Sequence, residues 1–581
     1  MTRRGELRVW APRARRLDAE LPGGRHPLRP VDGGWWCGDE PLAPGTDYRL
    51  SIDGGPGLPD PRSPFQPEGV HGPSRSVDHA AHAWGDAGWR GAELSDAVVY
   101  ELHVGTFTPE GTFDAAAARL GHLVDLGVTA VEIMPVAEFP GDRGWGYDGV
   151  DLYAPHHAYG GPEGLRRLVD ACHAHGLAAV LDVVYNHLGP DGNHLGAYAP
   201  YFTDRYRTPW GEAINLDGRQ SDAVRAFIVD NALMWLRDYH LDGLRLDAVH
   251  AIVDTSAVHI LEELATRVAA LEAELGRRLW LIAESDLNDP RVVRDPERGG
   301  YGLTAQWSDD FHHALHAALT GERTGYYVDF GRLEDVARAL GRAFVFDGRY
   351  SRFRERRHGR PIGDLGGGRF VVCLQNHDQV GNRAGGERSS ALMSTGLLRV
   401  GAALVLTAPY VPMLFQGEEW GASTPFLYFT DHVDPTLATA VSEGRRREFA
   451  AFGWDESAVP DPQDESSFVR SRLDWDEAGR EPHAGLLAWH RELIALRRRL
   501  PALREADLSA VCVRVDEEHR WLVMERRGVT VAANLGAGAA RIPGGARGWG
   551  EVLLASAEAP CRDGDSLILP PESVVVLDQS S

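Results

Sequence analysis

The chain has 581 residues, 43% of them hydrophobic and 25% charged, with a formal net charge of −24. That length exceeds one ordinary domain and suffices for a barrel of about 250 residues or more with smaller appended units. The composition is that of a globular protein, and the strong negative charge argues against nucleic acid or an anionic membrane as a partner.

Residues 1–90 are rich in Gly and Pro. Their short apolar runs LRVW (7–10), GWWCG (34–38) and TDYRLSI (46–52) predict an N-terminal β-sandwich, ending in the Pro-rich link LPDPRSPFQPEG (58–69). The opening, MTRRGELRVWAP, has no apolar core of signal-peptide length. Residues 91–500 then alternate strand and helix patterns. AVVYELHV (97–104) is strand-like, and FDAAAARLGHLVDLG (113–127) is an amphipathic helix closed by Gly127. VTAVEIMPV (128–136) and LAAVLDVVY (177–185) repeat the strand pattern around the helix GPEGLRRLVDACHAHG (161–176). SDAVRAFIVDNALMWLRDYH (221–240) is a helix with Ser221 as its N-cap, leading into the strand GLRLD (243–247). A helix near 254–275 and the strands LWLIAE (279–284), LTAQW (303–307), RFVVCLQ (369–375) and VPMLFQ (411–416) continue the series.

This succession predicts an α/β fold, a (β/α)8 TIM barrel, with a doubly wound sheet as the rival topology. Two excursions, 185–220 and 308–368, are too long for simple loops and should wall the substrate cleft. The apolar stretch 400–415 is too short to cross a membrane, carries Pro409 and Pro412, and reads as a buried helix followed by a strand. Residues 501–581 return to short β runs (VCVRV, WLVMERR, VTVAANL, SLILP, SVVVL) and predict a C-terminal β-sandwich. Five scattered cysteines, Cys37, Cys172, Cys373, Cys512 and Cys561, include no CxxC pair. They point away from a disulfide framework or zinc site and toward a reducing, cytoplasmic compartment.

Acidic residues stand where strand-like runs end: Asp182 in DVVYNH (182–187), Asp247 in GLRLDAVH (243–250), Glu284 in LIAES (281–285) and Asp378 in QNHDQVGN (375–382). Parallel barrels deliver such groups to one mouth, and glycosidic cleavage needs a carboxylate and a separate carboxylic acid facing one sugar. Arg245 lies two residues before Asp247, so strand alternation puts both on one face and the guanidinium can hold the carboxylate ionised. Glu284 follows LWLIA, where desolvation would raise its pKa toward that of a general acid. Taken singly, each could be a structural pair or a solvent-facing strand end.

In the order Asp/His, Arg-x-Asp, Glu, His-Asp, these segments resemble the α-amylase superfamily, glycoside hydrolase family 13. The resemblance implies that Asp247 is the nucleophile, Glu284 the acid/base and Asp378 the third acid, which holds sugar hydroxyls. It implies that His187 and His377 bond the sugar in the cleavage subsite, with Asp182 bracing His187 and Arg245. Tyr147, in GWGYDGVDLYAP (144–155), matches the aromatic platform beneath that sugar, or is a packed loop tyrosine. His250, Gln379 and Asn382, inside the same motifs, are further candidate substrate contacts. DDFHH (309–313) follows a strand directly, and Asp309, Asp310, His312 and His313 are assigned to substrate rather than to a metal. Many α-amylases carry, four residues after the nucleophile, a histidine whose main chain helps hold calcium; here Ala251 stands there, and no metal or cofactor is expected.

Within the superfamily, the N-terminal sandwich and YELHVGTFTPEGTF (100–113) resemble the branching enzymes and the maltooligosyltrehalose trehalohydrolases. Longer strings favour the latter family over nearly the whole chain, among them VEIMPVAEFPGDRGWGYDGVDLYAP (131–155), QWSDDFHHALHAALTGE (306–322) and GEEWGASTPFLYFTDH (417–432). That resemblance implies hydrolysis of the α-1,4 bond next to the terminal trehalose of maltooligosyltrehalose, releasing trehalose and a maltooligosaccharide. It also implies a pathway partner, maltooligosyltrehalose synthase. The rival readings are a branching enzyme, an α-amylase and, remotely, a non-catalytic glucan-binding protein. Candidates for selecting the trehalose end are Tyr201, Phe202, Trp210, Asp309, Asp310, Phe311, Tyr326 and Tyr327.

Overall fold

A computed structural model describes residues 6–208, 210–451, 459–545, 548–558 and 560–579; the first five residues of the opening stretch lie outside it. Eight parallel strands close a barrel: Val99–Leu102, Ala130–Ile133, Ala178–Val183, Gly243–Leu246, Trp280–Ala283, Ala305–Trp307, Phe370–Cys373 and Val411–Phe415. They are ordered as in the sequence, and the last pairs with the first, Leu414 opposite Tyr100. This bears out the predicted TIM barrel over the doubly wound sheet.

Every barrel strand is buried on both faces, so period-two alternation sorts residues between barrel interior and helix layer. Small and apolar groups fill the interior floor, including Val99, Ala130, Ala178, Val180, Trp280, Ile282, Ala305, Val371 and Met413. Two residues further along the same strands, alternation brings Glu101, Glu132, Asp182 and Arg245 onto the same inward face, all of them buried. The interior thus passes from hydrocarbon to paired charge toward the C-terminal mouth.

At the N-terminal end, one antiparallel sheet orders Arg8–Trp10, Trp35–Cys37 and Arg29–Val31, and a second is built on Leu17–Leu21 and Asp47–Ile52. These sheets rest on the excursion after the third strand and on the helix Ser221–Asp238. Trp10 packs edge-on against Tyr201 at 5.5 Å, Tyr198 Oη donates to the Pro59 carbonyl at 2.7 Å, and Arg62 pairs with Asp230 at 2.9 Å. C-terminally, a five-stranded and a three-stranded antiparallel sheet enclose Val523, Ala532, Ile542, Leu567, Val575 and Leu577. The flanking antiparallel sheet domains are therefore present as predicted. Among the described residues, no helix is long and apolar enough to cross a membrane.

Three local expectations need correction. The helix expected over 113–127 is split into Phe113–Ala117 and Leu120–Leu126, although Gly127 does close it at φ 97°. Ser221 is the first helical residue instead of the cap, which is Gln220 in the left-handed region. Residues 309–320 form a barrel helix, so the second excursion proper begins only after Thr320, with the helix Leu333–Arg342 and the hairpin Asp347–Ser351/Arg356–Gly359.

Candidate active site

Asp247 and Glu284 sit one residue beyond their strands, and each is still tied by its backbone N–H to the preceding strand. Asp247 donates to the Val183 carbonyl and Glu284 to the Leu246 carbonyl, both at 3.0 Å. The two carboxyls therefore leave the barrel at one level. Arg245, its side chain 0% exposed, bridges them: Nη1 donates to Asp247 Oδ1 at 2.9 Å and to Asp182 Oδ2 at 2.6 Å, and Nη2 to Glu284 Oε2 at 2.8 Å. The guanidinium lies 4.2 Å over the Trp307 ring. Asn186 Nδ2 completes the hold on Asp247, donating to Oδ2 at 2.7 Å. Glu284 Oε2 also accepts the Ala248 backbone N–H at 2.7 Å, which leaves Oε1 as the oxygen available to carry a proton.

A second chain of hydrogen bonds joins this centre to His377. Tyr147 Oη donates to Asp182 Oδ2 at 2.6 Å and accepts from His377 Nε2 at 2.8 Å, while His377 Nδ1 donates to Glu101 Oε1 at 2.5 Å. With both nitrogens donating, His377 is an imidazolium. Burial works against that charge, but Glu101 and then Asp378 raise the group to about 9. Tyr147 is aimed by Gly146, whose φ of 96° and close approach to the Pro135 carbonyl oxygen, 2.1 Å from where a Cβ would stand, leave no room for a side chain. The Tyr147 ring stacks on that of His377, centroids 5.2 Å apart.

Asp378 stands in the first turn of the short helix His377–Gly381, partly exposed, 3.6 Å from His377 Nε2. The Glu284, Asp378, Asp182 and Asp309 carboxyls are all shifted upward. Burial raises Glu284, with Arg245 opposing and Asp247 reinforcing it; burial raises Asp378, with His377 opposing and Glu284 reinforcing it. Asp182 is pushed up to about 7 by burial against the pull of Arg245. Asp309 is held well above the usual carboxylate range by burial and then by the Glu284, Asp286 and Asp378 charges. It therefore faces the same acidic cluster. His187 sits between two oxygens, Nε2 at 3.0 Å from the Tyr147 carbonyl and Nδ1 against Asn186 Oδ1, while burial pulls it down to about 4. Trp210, 49% exposed, stacks on it in parallel at 4.2 Å.

Other candidates are placed elsewhere. Asp310 Oδ2 accepts from the backbone N–H of Val345 and of Phe346 and from Asn288 Nδ2, anchoring the start of the hairpin segment. His312 is locked between the Leu374 carbonyl and Tyr327 Oη at 2.7 and 2.8 Å. His312 has spent both ring nitrogens and Asp310 its Oδ2 on the protein, as the inward phase of their helix requires. His313 is buried against Tyr326, Tyr327 and Phe330. Gln379 caps its own helix, accepting from the Asn376 N–H at 2.9 Å; Asn382 donates to Asp378 Oδ1 at 3.3 Å and is exposed. His250 is exposed and accepts from the Asp286 N–H at 3.3 Å. Tyr201 and Phe311 are core residues, packed on Trp10 and Tyr410.

The sequence reading missed Glu101, Asn186, Trp307 and Glu132. Glu101 and Glu132 are cross-strand register partners inside the barrel. Neither carboxylate oxygen of Glu132 has a partner among the described residues, and burial with the adjacent Glu101 charge holds it well above the usual range. The inward alternation Val99, Glu101 was the available signal for Glu101.

Residues 79–199 match the family model for the alpha amylase catalytic domain, and 506–576 match a domain of unknown function. The chain is 54% identical to a malto-oligosyltrehalose trehalohydrolase of Arthrobacter ramosus over 94% of its own length and 96% of the relative's. It is 50% identical to a protein of the same name from a Rhizobium species over 99% and 97%. A crystal structure of a candidate alpha amylase from Salmonella typhimurium superposes with TM-score 0.90 at 40% identity, covering 99% of this chain and 97% of that one.

Proposed function

Because the chain belongs to the malto-oligosyltrehalose trehalohydrolases of the alpha-amylase family, we propose that it hydrolyses the α-1,4 bond joining a maltooligosaccharide to its terminal trehalose. The near-full-length match carries the substrate, and the Arg245 bridge between two carboxyls supports the chemistry.

Asp247, held at both oxygens, attacks the anomeric carbon as the bond to the leaving oxygen breaks, forming a glycosyl ester. Glu284 gives the Oε1 proton to that oxygen, so trehalose leaves as a neutral alcohol. Water then attacks the ester; Glu284 takes its proton and Asp247 departs as carboxylate, with net retention. One guanidinium grips both carboxyls, which suits the separation of about 5–5.5 Å that retention requires. Asp378 holds the hydroxyls of the sugar being cleaved, and the His377 imidazolium, both of its N–H groups spent on Tyr147 and Glu101, fixes Tyr147 beneath the sugar ring. Asp309, its carboxyl held well above the usual carboxylate range by burial, hydrogen-bonds a sugar hydroxyl. The exposed Trp210 and the Tyr326/Phe353 pair, 6.2 Å apart, supply aromatic faces for discrimination at the trehalose end.

The decisive experiment compares maltotriosyltrehalose, maltopentaose and borohydride-reduced maltopentaose. Strong preference for the first, with trehalose released, is expected. Equal rates on all would indicate an amylase, and products longer than the substrate a branching enzyme. The pathway partner is a synthase that converts the reducing end into the α-1,1-linked unit. Neither protein alone should make trehalose from maltopentaose, and a mixture should.

Ala251 ends the 3-10 turn after Asp247, and calcium is not needed there. Protein stripped of divalent ions and returned to calcium should keep the same activity and melting temperature. A large gain on adding calcium would overturn this.

A further inference from the structure

The loop presenting Trp145 and Tyr147 is closed at its base by a two-stranded hairpin, Ala137–Glu138 against Asp151–Pro155. Immediately after Pro155 the chain leaves the strand and His157 begins a 3-10 turn. Alternation is broken there, so the consecutive residues His156 and His157 both turn toward Glu138. The Glu138 carboxyl is fully buried; its Oε2 accepts the His157 backbone N–H at 2.9 Å. Its Oε1 faces both rings, 2.7 Å from His157 Nδ1 and 3.4 Å from His156 Nδ1. One donor atom from each of the three residues lies within 4.8 Å of the others.

Two features go beyond an ion pair. His156 is completely buried between Phe139 and Tyr159, and neither ring nitrogen has a hydrogen-bond partner among the described residues. An orphaned buried polar group costs about 1–3 kcal/mol, so something is expected to engage it. His157 turns its far nitrogen, Nε2, to Asp142 Oδ1 at 3.1 Å. A histidine that donates one nitrogen to a metal characteristically has the other bound to a carboxylate, which fixes its tautomer.

We propose that Glu138, His156 and His157 form a tetrahedral transition-metal site, suited to Zn2+, that staples the base of the loop carrying Tyr147. Two imidazoles and a carboxylate match the ligand preferences of zinc, cobalt or nickel, whereas calcium and magnesium favour all-oxygen shells. With bonds of about 2.0–2.1 Å, neighbouring tetrahedral ligands stand roughly 3.3 Å apart. The His156 contact already has that spacing, and the His157 contact must open by about half an ångström. Glu138 and Asp142 supply the two negative charges that balance the ion. The fourth position opens to solvent past His157, 21% exposed, and Asp142, 78% exposed, leaving room for water. The ion is remote from the reacting sugar; its role is to hold the hairpin from which Tyr147 is presented.

The test uses the full-length, tag-free protein, stripped with a chelator and titrated calorimetrically with ZnCl2. One equivalent should bind, raise the melting temperature by several degrees, and be replaceable by Co2+ with the visible bands of a tetrahedral centre. His157→Gln and Glu138→Gln should each abolish stoichiometric binding, and Asp142→Asn should weaken it about tenfold. Should Glu138→Gln fail to fold, His157→Gln decides, because its ring is partly exposed. Absence of stoichiometric zinc binding to the parent protein, or binding unaltered by His157→Gln, would overturn the proposal.

Discussion

Asp247→Asn is expected to lower kcat on maltotriosyltrehalose by about four orders of magnitude or more while the protein stays folded. An amide is too weak a nucleophile to form the glycosyl ester, and at 1.36 kcal/mol per tenfold the loss is about 5.4 kcal/mol of transition-state stabilisation. The structural cost is smaller. An asparagine oxygen can still accept from Arg245 Nη1, but its NH2 would then meet Asn186 Nδ2, donor against donor. That costs about 1–3 kcal/mol, visible as a lower melting temperature with unchanged circular dichroism. A folded variant with kcat within tenfold of the parent would sink the nucleophile assignment.

Glu284→Gln gives a comparable loss on the natural substrate for a different reason, and the two can be told apart. An activated glycoside whose leaving group needs no proton, such as a maltosyl fluoride, should restore ester formation in Glu284→Gln but not in Asp247→Asn. Burial and the Asp247 charge keep the Glu284 proton on to higher pH than a free glutamate would. The alkaline limb of kcat/KM belongs to its loss and should vanish in Glu284→Gln assayed on the fluoride.

The acids at strand ends were legible because each closes a contiguous apolar run, and the arginine of Arg-x-Asp because strand alternation is local. What was not legible depends on closure of the barrel. Glu101 meets His377 across 276 residues of sequence, and only the pairing of the last strand with the first brings them together. Asp310 and His312 were misassigned because helical phase decides which of four polar neighbours face the mouth. DDFHH reads as a cluster, yet only Asp309, on the first turn, faces the acidic centre, while Asp310 and His312 turn into the scaffold. Tyr201 reads as a cleft aromatic only until the N-terminal sheets are seen to cover the first excursion, and Phe311 only until helical phase is seen to turn it onto Tyr410. The fold class itself was legible, because eight strand patterns separated by helical ones admit few topologies.

Arg245→Ala should be the most destabilising single change in the site. The guanidinium is fully buried and is shared by Asp182, Asp247 and Glu284. Removing one partner of a buried charge cluster costs about 3–5 kcal/mol, because the remaining charges stay desolvated without compensation. Activity should fall by orders of magnitude as well, since both reacting carboxyls lose their common anchor. The pH dependence separates this account from simple loss of packing. Asp182 already sits at about 7 with the arginine present, and without it the folded-state values of Asp182 and Glu284 rise further. A carboxyl raised above its unfolded value contributes stability that is fully present below the unfolded value, near 4, and lost as pH rises through the folded one. The melting-temperature gap between Arg245→Ala and the parent should therefore be widest above neutrality and narrow steadily toward pH 5. Arg245→Lys should recover part of the stability but little activity, because one ammonium cannot fork to carboxyls on three different strands. A gap that stays constant from pH 8 to pH 5 would mean that the lost side-chain volume, rather than the uncompensated carboxylates, causes the instability.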